Sequence, residues 1–147
     1  QPTHATSDKN MAGDRLGEER LEAAYAWSTL LDSGAQLAGG SDFPVESVNP
    51  FYGLHAAVTR QSHDNRPKGG WLPGQKLSRQ ASLSLFTQDA AFAAHQEMLI
   101  GRLLPGYYAD FILLSDNYFD QPADAIWKNR VLATYVAGRR VYSAGQE

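Results

Sequence analysis

Apolar residues recur every three or four positions in the first third of the chain, which is the spacing of an amphipathic helix. These residues are Leu16, Leu21, Ala24, Trp27, Leu30 and Leu31. Gly34 follows them, where glycine commonly ends a helix. The pattern predicts a helix over residues 18–33. The polar, glycine-bearing residues 6–17 before it predict a loop, and the small apolar residues 35–40 behind it predict a buried strand whose neighbours approach closely.

Three capping signals divide the middle of the chain. Asn49 can accept the free backbone N–H groups of a first helical turn, and Pro50 suits the first helical position. Ser78 and Thr87 are further candidate N-caps. The predicted elements are a helix over residues 50–61, a long polar loop over 62–76, and two short helices over 79–86 and 88–95.

The sequence changes character after Met98, where glycine and proline separate short β-type segments. Residues 109–114 predict a strand, and residues 130–136 and 139–142 predict a hairpin that turns at Ala137-Gly138. The sequence therefore predicts an α/β region over residues 1–96 and part of a small sheet domain over residues 97–147.

Composition restricts the class of protein. The 147 residues suit one domain, and 43% hydrophobic with 20% charged residues is typical of a globular chain. The net charge is 13 − 16 = −3 without any basic block, which argues against nucleic acid or an anionic membrane surface as a partner. No apolar run approaches the roughly 20 residues of a membrane helix. Because cysteine is absent, a metal would need histidine and carboxylate ligands.

The chain begins with Gln1-Pro2, without an initiator methionine or the features of a signal peptide. We therefore expect it to be a piece cut from a longer protein. The sequence contains no signal that assigns the protein to a cellular compartment. Among the possible compartments, we favour the cytoplasm.

Three residues are candidates for chemistry. Asp42 ends the predicted strand, where α/β proteins gather catalytic groups, so it could bind a cation, move a proton, or only cap the following turn. His4 lies on a short stub and is either a site residue or an ordinary exposed histidine. Arg20, near the start of the predicted helix, could hold a substrate carboxylate or be solvated.

Other chemistries find no support in the sequence. The other histidines, His55, His63 and His95, are interpreted as structural. None of the four histidines forms a His-x-His or His-Glu-x-x-His pair, so the chain has no self-contained zinc motif. Phosphate-binding glycine loops and the serine-hydrolase elbow are absent as well.

Several short motifs in order nevertheless resemble one family. They are residues 1–4 (QPTH), 14–20 (DRLGEER), 40–45 (GSDFPV), 101–103 (GRL), 105–106 (PG) and 109–110 (AD). Together they resemble the C-terminal part of the amidohydrolase superfamily, within it amidohydrolase family 3, the YtcJ-like branch. The resemblance covers nearly the whole chain and does not name a substrate.

The resemblance implies an α/β fold, the C-terminal part of a metal-dependent (β/α)8 TIM barrel followed by part of a small β-sandwich. Residues 1–4 would end barrel strand seven, residues 18–33 would be the next helix, and residues 35–42 would be strand eight. Asp42 would bind a divalent metal, zinc being favoured, and shuttle a proton from the metal's water to the leaving group. His4 would lie near the substrate without ligating the metal. The implied reaction is hydrolysis of a non-peptide C–N bond in a small amide-type substrate.

The resemblance also implies that most of the site lies elsewhere. The family's strand-one His-x-His, its strand-four lysine or carboxylate and the histidines of strands five and six match nothing here, and a whole barrel takes about 250 residues. We expect the isolated fragment to be inactive and its exposed edges to be covered by the N-terminal part of the same protein or by a second copy in a homo-oligomer. The alternative function is a non-catalytic binding or assembly module that keeps the fold.

Overall fold

The computed structural model of the chain describes residues 1–145, which form seven α-helices followed by a three-stranded antiparallel sheet. The helices are α1 (His4–Ser7), α2 (Lys9–Leu16), α3 (Glu18–Leu21), α4 (Trp27–Asp32), α5 (Pro50–Thr59), α6 (Arg79–Leu85) and α7 (Gln88–Ala93). Two 3₁₀ helices span Pro73–Gln75 and Ala123–Lys128. The strands are β1 (Phe111–Leu114), β2 (Val131–Val136) and β3 (Arg139–Ser143). No helix among these residues has the length and apolar character needed to cross a membrane.

The predicted loop over residues 6–17 is wrong, because α1 and α2 occupy it. Ala5 and Ala12, seven residues apart, are both buried and form the inner side of these two helices. Alanine favours a helix but adds little hydrophobic bulk, so a pattern search based on large apolar side chains does not detect this contact. The strand end predicted at residues 1–4 is likewise replaced by a turn that leads into α1.

The single helix predicted over residues 18–33 is interrupted between α3 and α4. In a continuous helix the Thr29 N–H would donate to the carbonyl of Tyr25. Instead that N–H donates to Oε1 of Gln75 at 3.1 Å, and the Tyr25 carbonyl accepts from Nη1 of Arg60 at 3.0 Å. Side chains from distant parts of the chain thus satisfy both backbone groups, which removes the cost of breaking the helix.

The strand predicted over residues 35–40 is not formed within residues 1–145, since no neighbouring strand pairs with it there. The close approach predicted for this segment is present. The Gly39 N–H donates to the Leu85 carbonyl at 2.9 Å, and a Cβ at Gly39 would lie 2.9 Å from Cβ of Leu85. Glycine lets this segment contact α6 directly.

Helix α5 begins as the sequence predicts and contributes more buried apolar residues than any other helix or strand described. The Asn49 side chain accepts from the Phe51 N–H at 3.0 Å, with Pro50 at the first helical position. Phe51 and Leu54 are buried and pack with Tyr118 and Ile126. The core therefore joins residues from both sides of the boundary predicted near residue 97, and the division into two domains stays a prediction.

The helices predicted after Ser78 and Thr87 are present as α6 and α7, with one of the two caps. The Ser78 side chain accepts from the Ala81 N–H at 3.0 Å, which confirms it as an N-cap. Thr87 is not a cap of this kind, because its hydroxyl donates to the Leu83 carbonyl at 2.8 Å.

The predicted strand and hairpin are confirmed, and the sheet order is β1-β2-β3. Ala137 and Gly138 have φ angles of 50° and 75°, as a tight two-residue turn requires. The carboxylate of Asp110 accepts from the Ala137 N–H at 2.7 Å, and the Ala109 carbonyl accepts from Gly138. The Ala109-Asp110 motif thus fastens the turn of the hairpin to the segment before β1.

Candidate functional site

The structure brings two of the three candidate residues together. Nε2 of His4, at the start of α1, lies 3.5 Å from Oδ2 of Asp42, although 38 residues separate them along the chain. The His4 side chain is 26% exposed and that of Asp42 is 49% exposed. The pair is thus open to a ligand from one side while the imidazole is largely enclosed by protein.

The backbone of Asp42 has an unusual conformation. Its φ angle is 56°, in the left-handed region, where aspartate and asparagine are tolerated far better than most residues. The Asp42 carbonyl accepts from the Val45 N–H at 2.8 Å, so this residue also closes a turn. The two readings of Asp42 from the sequence, a site carboxylate and a turn residue, are therefore compatible, since its backbone serves the turn while its side chain faces His4.

Two buried polar atoms near this place have no hydrogen-bond partner among the described residues. They are Nε2 of His4 and Oγ1 of its neighbour Thr3. Buried polar atoms are nearly always satisfied in folded proteins, so unsatisfied ones mark a place where a ligand, ion or water is expected. The buried Nδ1 of His55 also lacks a partner among the described residues, so the distinguishing feature of His4 is the carboxylate of Asp42 beside it.

Helix α1 also holds the segment that follows Asp42. The Ser7 hydroxyl donates to the Glu46 carboxylate. Beyond Asp42, the side chains of Phe43 and Val45 are largely exposed. The Asp42 turn is thus fixed at its base and presents apolar side chains outward.

Arg20 is not part of this pair. Its side chain is exposed on α3, and its Nε donates to the Leu16 carbonyl at 2.9 Å, a contact with the preceding turn of the chain. A role for Arg20 toward a substrate therefore stays a prediction.

The residues present suit part of a divalent-metal site. Among residues 1–145 no group of three or more histidine, aspartate, glutamate or cysteine side chains is close enough to hold an ion. Asp42 is nevertheless a donor of the type that zinc accepts, and the buried His4 nitrogen beside it has no hydrogen-bond partner among the described residues. The pair fits a site completed by ligands from outside this segment.

A buried arginine was not recognised from the sequence. Arg60 is fully buried, with its guanidinium carbon 4.4 Å from the ring centre of Trp27 and 5.2 Å from that of Trp71. Its Nε donates to the Trp71 carbonyl at 2.9 Å. Burial lowers the pKa of Arg60 from its usual 12.5 to about 10, so the group stays charged at neutral pH. In the sequence, the only sign of this buried arginine is the two tryptophans, and they are too far apart along the chain to suggest a shared partner.

Two of the three histidines interpreted as structural have structural contacts, whereas His95 is exposed. His55 is fully buried, and its Nε2 lies 3.2 Å from Oδ1 of Asn65. Burial lowers its pKa below the usual 6.5, and nearby His63 lowers it further, against the opposing effects of Asn65 and Asp124. The ring of His63 stacks on that of Trp127 with centres 4.7 Å apart. Both histidines fix the loop after α5 to its surroundings.

Comparison with known proteins identifies the family. The model of the amidohydrolase family matches residues 1–142. Protein LONG AFTER FAR-RED 3 of Arabidopsis thaliana is 37% identical to this chain over 145 residues, and the putative amidohydrolase YtcJ of Bacillus subtilis is 33% identical over 142 residues. The chain therefore belongs to the amidohydrolase family, which confirms the resemblance found in its motifs.

Each of these two matches covers 97% of this chain, but only 24% of the Arabidopsis protein and 27% of the Bacillus protein. An uncharacterized metal-dependent hydrolase from Pyrococcus furiosus has a similar structure, with a TM-score of 0.61 at 32% identity. That match covers 74% of this chain and 21% of the hydrolase. The chain thus spans about a quarter of the length of its curated relatives.

Proposed function

We propose that this chain is the C-terminal segment of a metal-dependent amidohydrolase, which hydrolyses a non-peptide C–N bond of amide type. The observation that carries the proposal is the His4–Asp42 pair, a half-exposed carboxylate beside a buried and unsatisfied imidazole nitrogen. Membership of the amidohydrolase family and the similarity to a metal-dependent hydrolase support the reaction class.

The proposed reaction needs a group that holds and releases a proton, and the proposal assigns this role to Asp42. Its carboxylate receives a proton from the attacking water and gives it to the leaving nitrogen. The oxygen of the water joins the carbonyl carbon, the C–N bond breaks, and the products are a carboxylic acid and an amine. A bound divalent ion, with zinc favoured, would acidify the water and polarise the carbonyl. Asp42 would be one of the ligands of that ion.

The architecture of the whole protein forms part of the proposal. Residues 1–96 would complete a (β/α)8 barrel, and residues 97–147 would form the C-terminal part of a β-sandwich. In a barrel, residues 35–42 would gain neighbouring strands and end with Asp42 at the carboxyl edge, where such enzymes keep their catalytic groups. The N-terminal part of the same protein would supply the strands and the remaining metal ligands.

The substrate would be a small molecule bound against this edge. His4 lies beside Asp42 and would be close to such a substrate, and Arg20 would bind a substrate carboxylate if α3 faces the same cavity in the whole protein. The exposed Phe43 and Val45 are apolar surfaces next to Asp42.

The test uses the full-length protein, purified with and without added zinc. Its metal content is measured by elemental analysis, and hydrolysis is assayed on a panel of N-acyl amines, lactams and ureas. Asn at position 42 removes the charge and tolerates the left-handed backbone, so Asp42→Asn should keep the fold while kcat falls by at least about 100-fold. Asp14→Asn, at an exposed position on α2, is the matched control and should leave kcat unchanged.

Retention of wild-type kcat by Asp42→Asn would refute the role of Asp42. A full-length protein that binds no zinc and hydrolyses none of the panel would instead support the non-catalytic module.

A further inference from the structure

Nε2 of His4 lies next to one charged side chain of the described residues, the carboxylate of Asp42. The separation of 3.5 Å is about half an ångström longer than an ordinary N–H···O hydrogen bond, and the nitrogen is otherwise without a partner. Neither oxygen of Asp42 accepts a hydrogen bond among residues 1–145, which leaves the carboxylate free to turn toward His4.

The elements that carry the two residues hold them in this relation. The Thr3 carbonyl accepts backbone bonds from Thr6 and Ser7, which fixes the turn that carries His4. Ser7 in turn donates to Glu46, four residues after Asp42. These hydrogen bonds therefore fix the backbone on both sides, so that the His4 and Asp42 side chains face each other. Hydrogen bonds at catalytic sites are often long in the free protein and shorten when a ligand binds.

We propose that His4 is a positioning residue, whose Nε2–H holds Oδ2 of Asp42 and leaves the other carboxylate oxygen for the cation. The inference rests on the proposed function and deepens it, because it assigns His4 an action on Asp42 in addition to its place beside the substrate. The physical reason is that metal-binding carboxylates are themselves held by hydrogen bonds, and loss of such a partner typically costs 10- to 100-fold in metal affinity.

The first test needs neither metal nor activity. Thermal midpoints of the full-length protein are measured in chelator for His4→Ala, for Asp42→Gly and for the double variant. Glycine removes the carboxylate and tolerates the positive φ angle. If the two side chains interact, His4→Ala will shift the midpoint less in the Asp42→Gly background than in the wild type. Additive shifts would overturn the proposal.

The second test measures zinc affinity by competition with a coloured chelator. His4→Ala should weaken binding by about 10- to 100-fold. His4→Gln should recover most of that loss, because its amide N–H reaches a similar place. His95→Gln, at an exposed position after α7, is the control and should change nothing. A residue that only touched the substrate would alter KM and leave zinc affinity as it was, so an unchanged affinity in His4→Ala would also overturn the proposal.

The outcomes of these tests distinguish the proposed hydrolase reaction from the positioning role of His4. A protein that binds zinc but hydrolyses no amide on the panel refutes the proposed reaction, while its zinc affinities still decide the role of His4. A protein that binds no zinc refutes the metal site, and since His4 would then hold no metal ligand, it overturns the positioning role as well.

Discussion

Nη1 of Arg60 donates a 3.0 Å hydrogen bond to the carbonyl of Tyr25, the group that Thr29 would use if the surrounding helix were continuous. Tyr25 has a φ angle of 52°, and its hydroxyl donates to the Asp8 carboxylate at 2.8 Å. The break between α3 and α4 is thus held from both sides, by an arginine at the end of α5 and by an aspartate next to α2. One buried cation therefore organises three parts of the chain.

Removal of this cation should destabilise the fold strongly. Arg60→Ala deletes two hydrogen bonds to backbone carbonyls and the contacts with Trp27 and Trp71, and we expect it to lower the free energy of unfolding by about 2–4 kcal/mol. Urea unfolding of the whole protein, followed by tryptophan fluorescence, measures the loss. Arg66→Ala, at an exposed position in the loop after α5, should cost less than about 0.5 kcal/mol. Equal effects from both variants would show that Arg60 has no special role.

The same glycine-to-alanine change should have opposite signs in two helices. At Gly53 in α5 the new Cβ would lie 2.5 Å from Cζ of Phe86, and the overpacked core should lose about 1–3 kcal/mol. At Gly13 in α2 no atom lies within 4 Å of the new Cβ, so the higher helix propensity of alanine should add about 0.5–1 kcal/mol. Thermal midpoints of Gly53→Ala and Gly13→Ala test the pair, and a shift in the same direction for both would contradict the packing described for Phe86.

Stability should fall at acid pH because of His55. Burial lowers its pKa below the usual 6.5, so between the two values the unfolded chain binds a proton that the folded chain does not. The free energy of unfolding should therefore decrease as pH falls below about 6.5, by up to about 1.4 kcal/mol per pH unit. The lowered pKa of His63 acts in the same direction.

His55→Gln removes this titrating group, and its unfolding free energy should depend less on pH between about 7.5 and 5. The exposed His95→Gln is the matched control and should keep the wild-type slope. If the slope is identical in wild type and His55→Gln, another group is responsible for the acid sensitivity.

Asp110 should stabilise the hairpin through a single hydrogen bond. Asp110→Ala leaves the Ala137 N–H without its carboxylate partner, and we expect a loss of about 1–2 kcal/mol because the acceptor is charged. Asp110→Asn keeps an acceptor oxygen and should recover part of the loss. Hydrogen exchange of the Ala137 amide is the local measurement, and it should become faster in Asp110→Ala alone. No change in that exchange would mean that the bond contributes nothing in solution.

The sequence could predict those parts of the fold that depend on neighbouring residues. The cap at Asn49, the cap at Ser78 and the turn at Ala137-Gly138 are short-range signals, and all three are present. Where distant residues decide the outcome, sequence patterns misled: Arg60 and Gln75 break a helix that residues 18–33 would otherwise form. Residues 35–40 pair with no strand within residues 1–145, and their place in a barrel sheet stays a prediction.

The candidate site shows the same limit. Asp42 and His4 could be selected from the sequence because of the motifs around them, but nothing in the sequence gives the distance between their side chains. Arg20 was selected on equally good local grounds, and its side chain instead contacts the carbonyl of Leu16. The buried Arg60 was missed because an arginine at the end of an amphipathic helix ordinarily reaches solvent.

The left-handed backbone at Asp42 limits how this position can change during evolution. Glycine, asparagine and aspartate fit its φ angle, whereas most other residues would strain the turn. Of these three, aspartate alone carries a carboxylate. A gene copy released from selection on this side chain would therefore tend to acquire asparagine or glycine at position 42, and the resulting paralogue would remain folded while having lost the carboxylate beside His4.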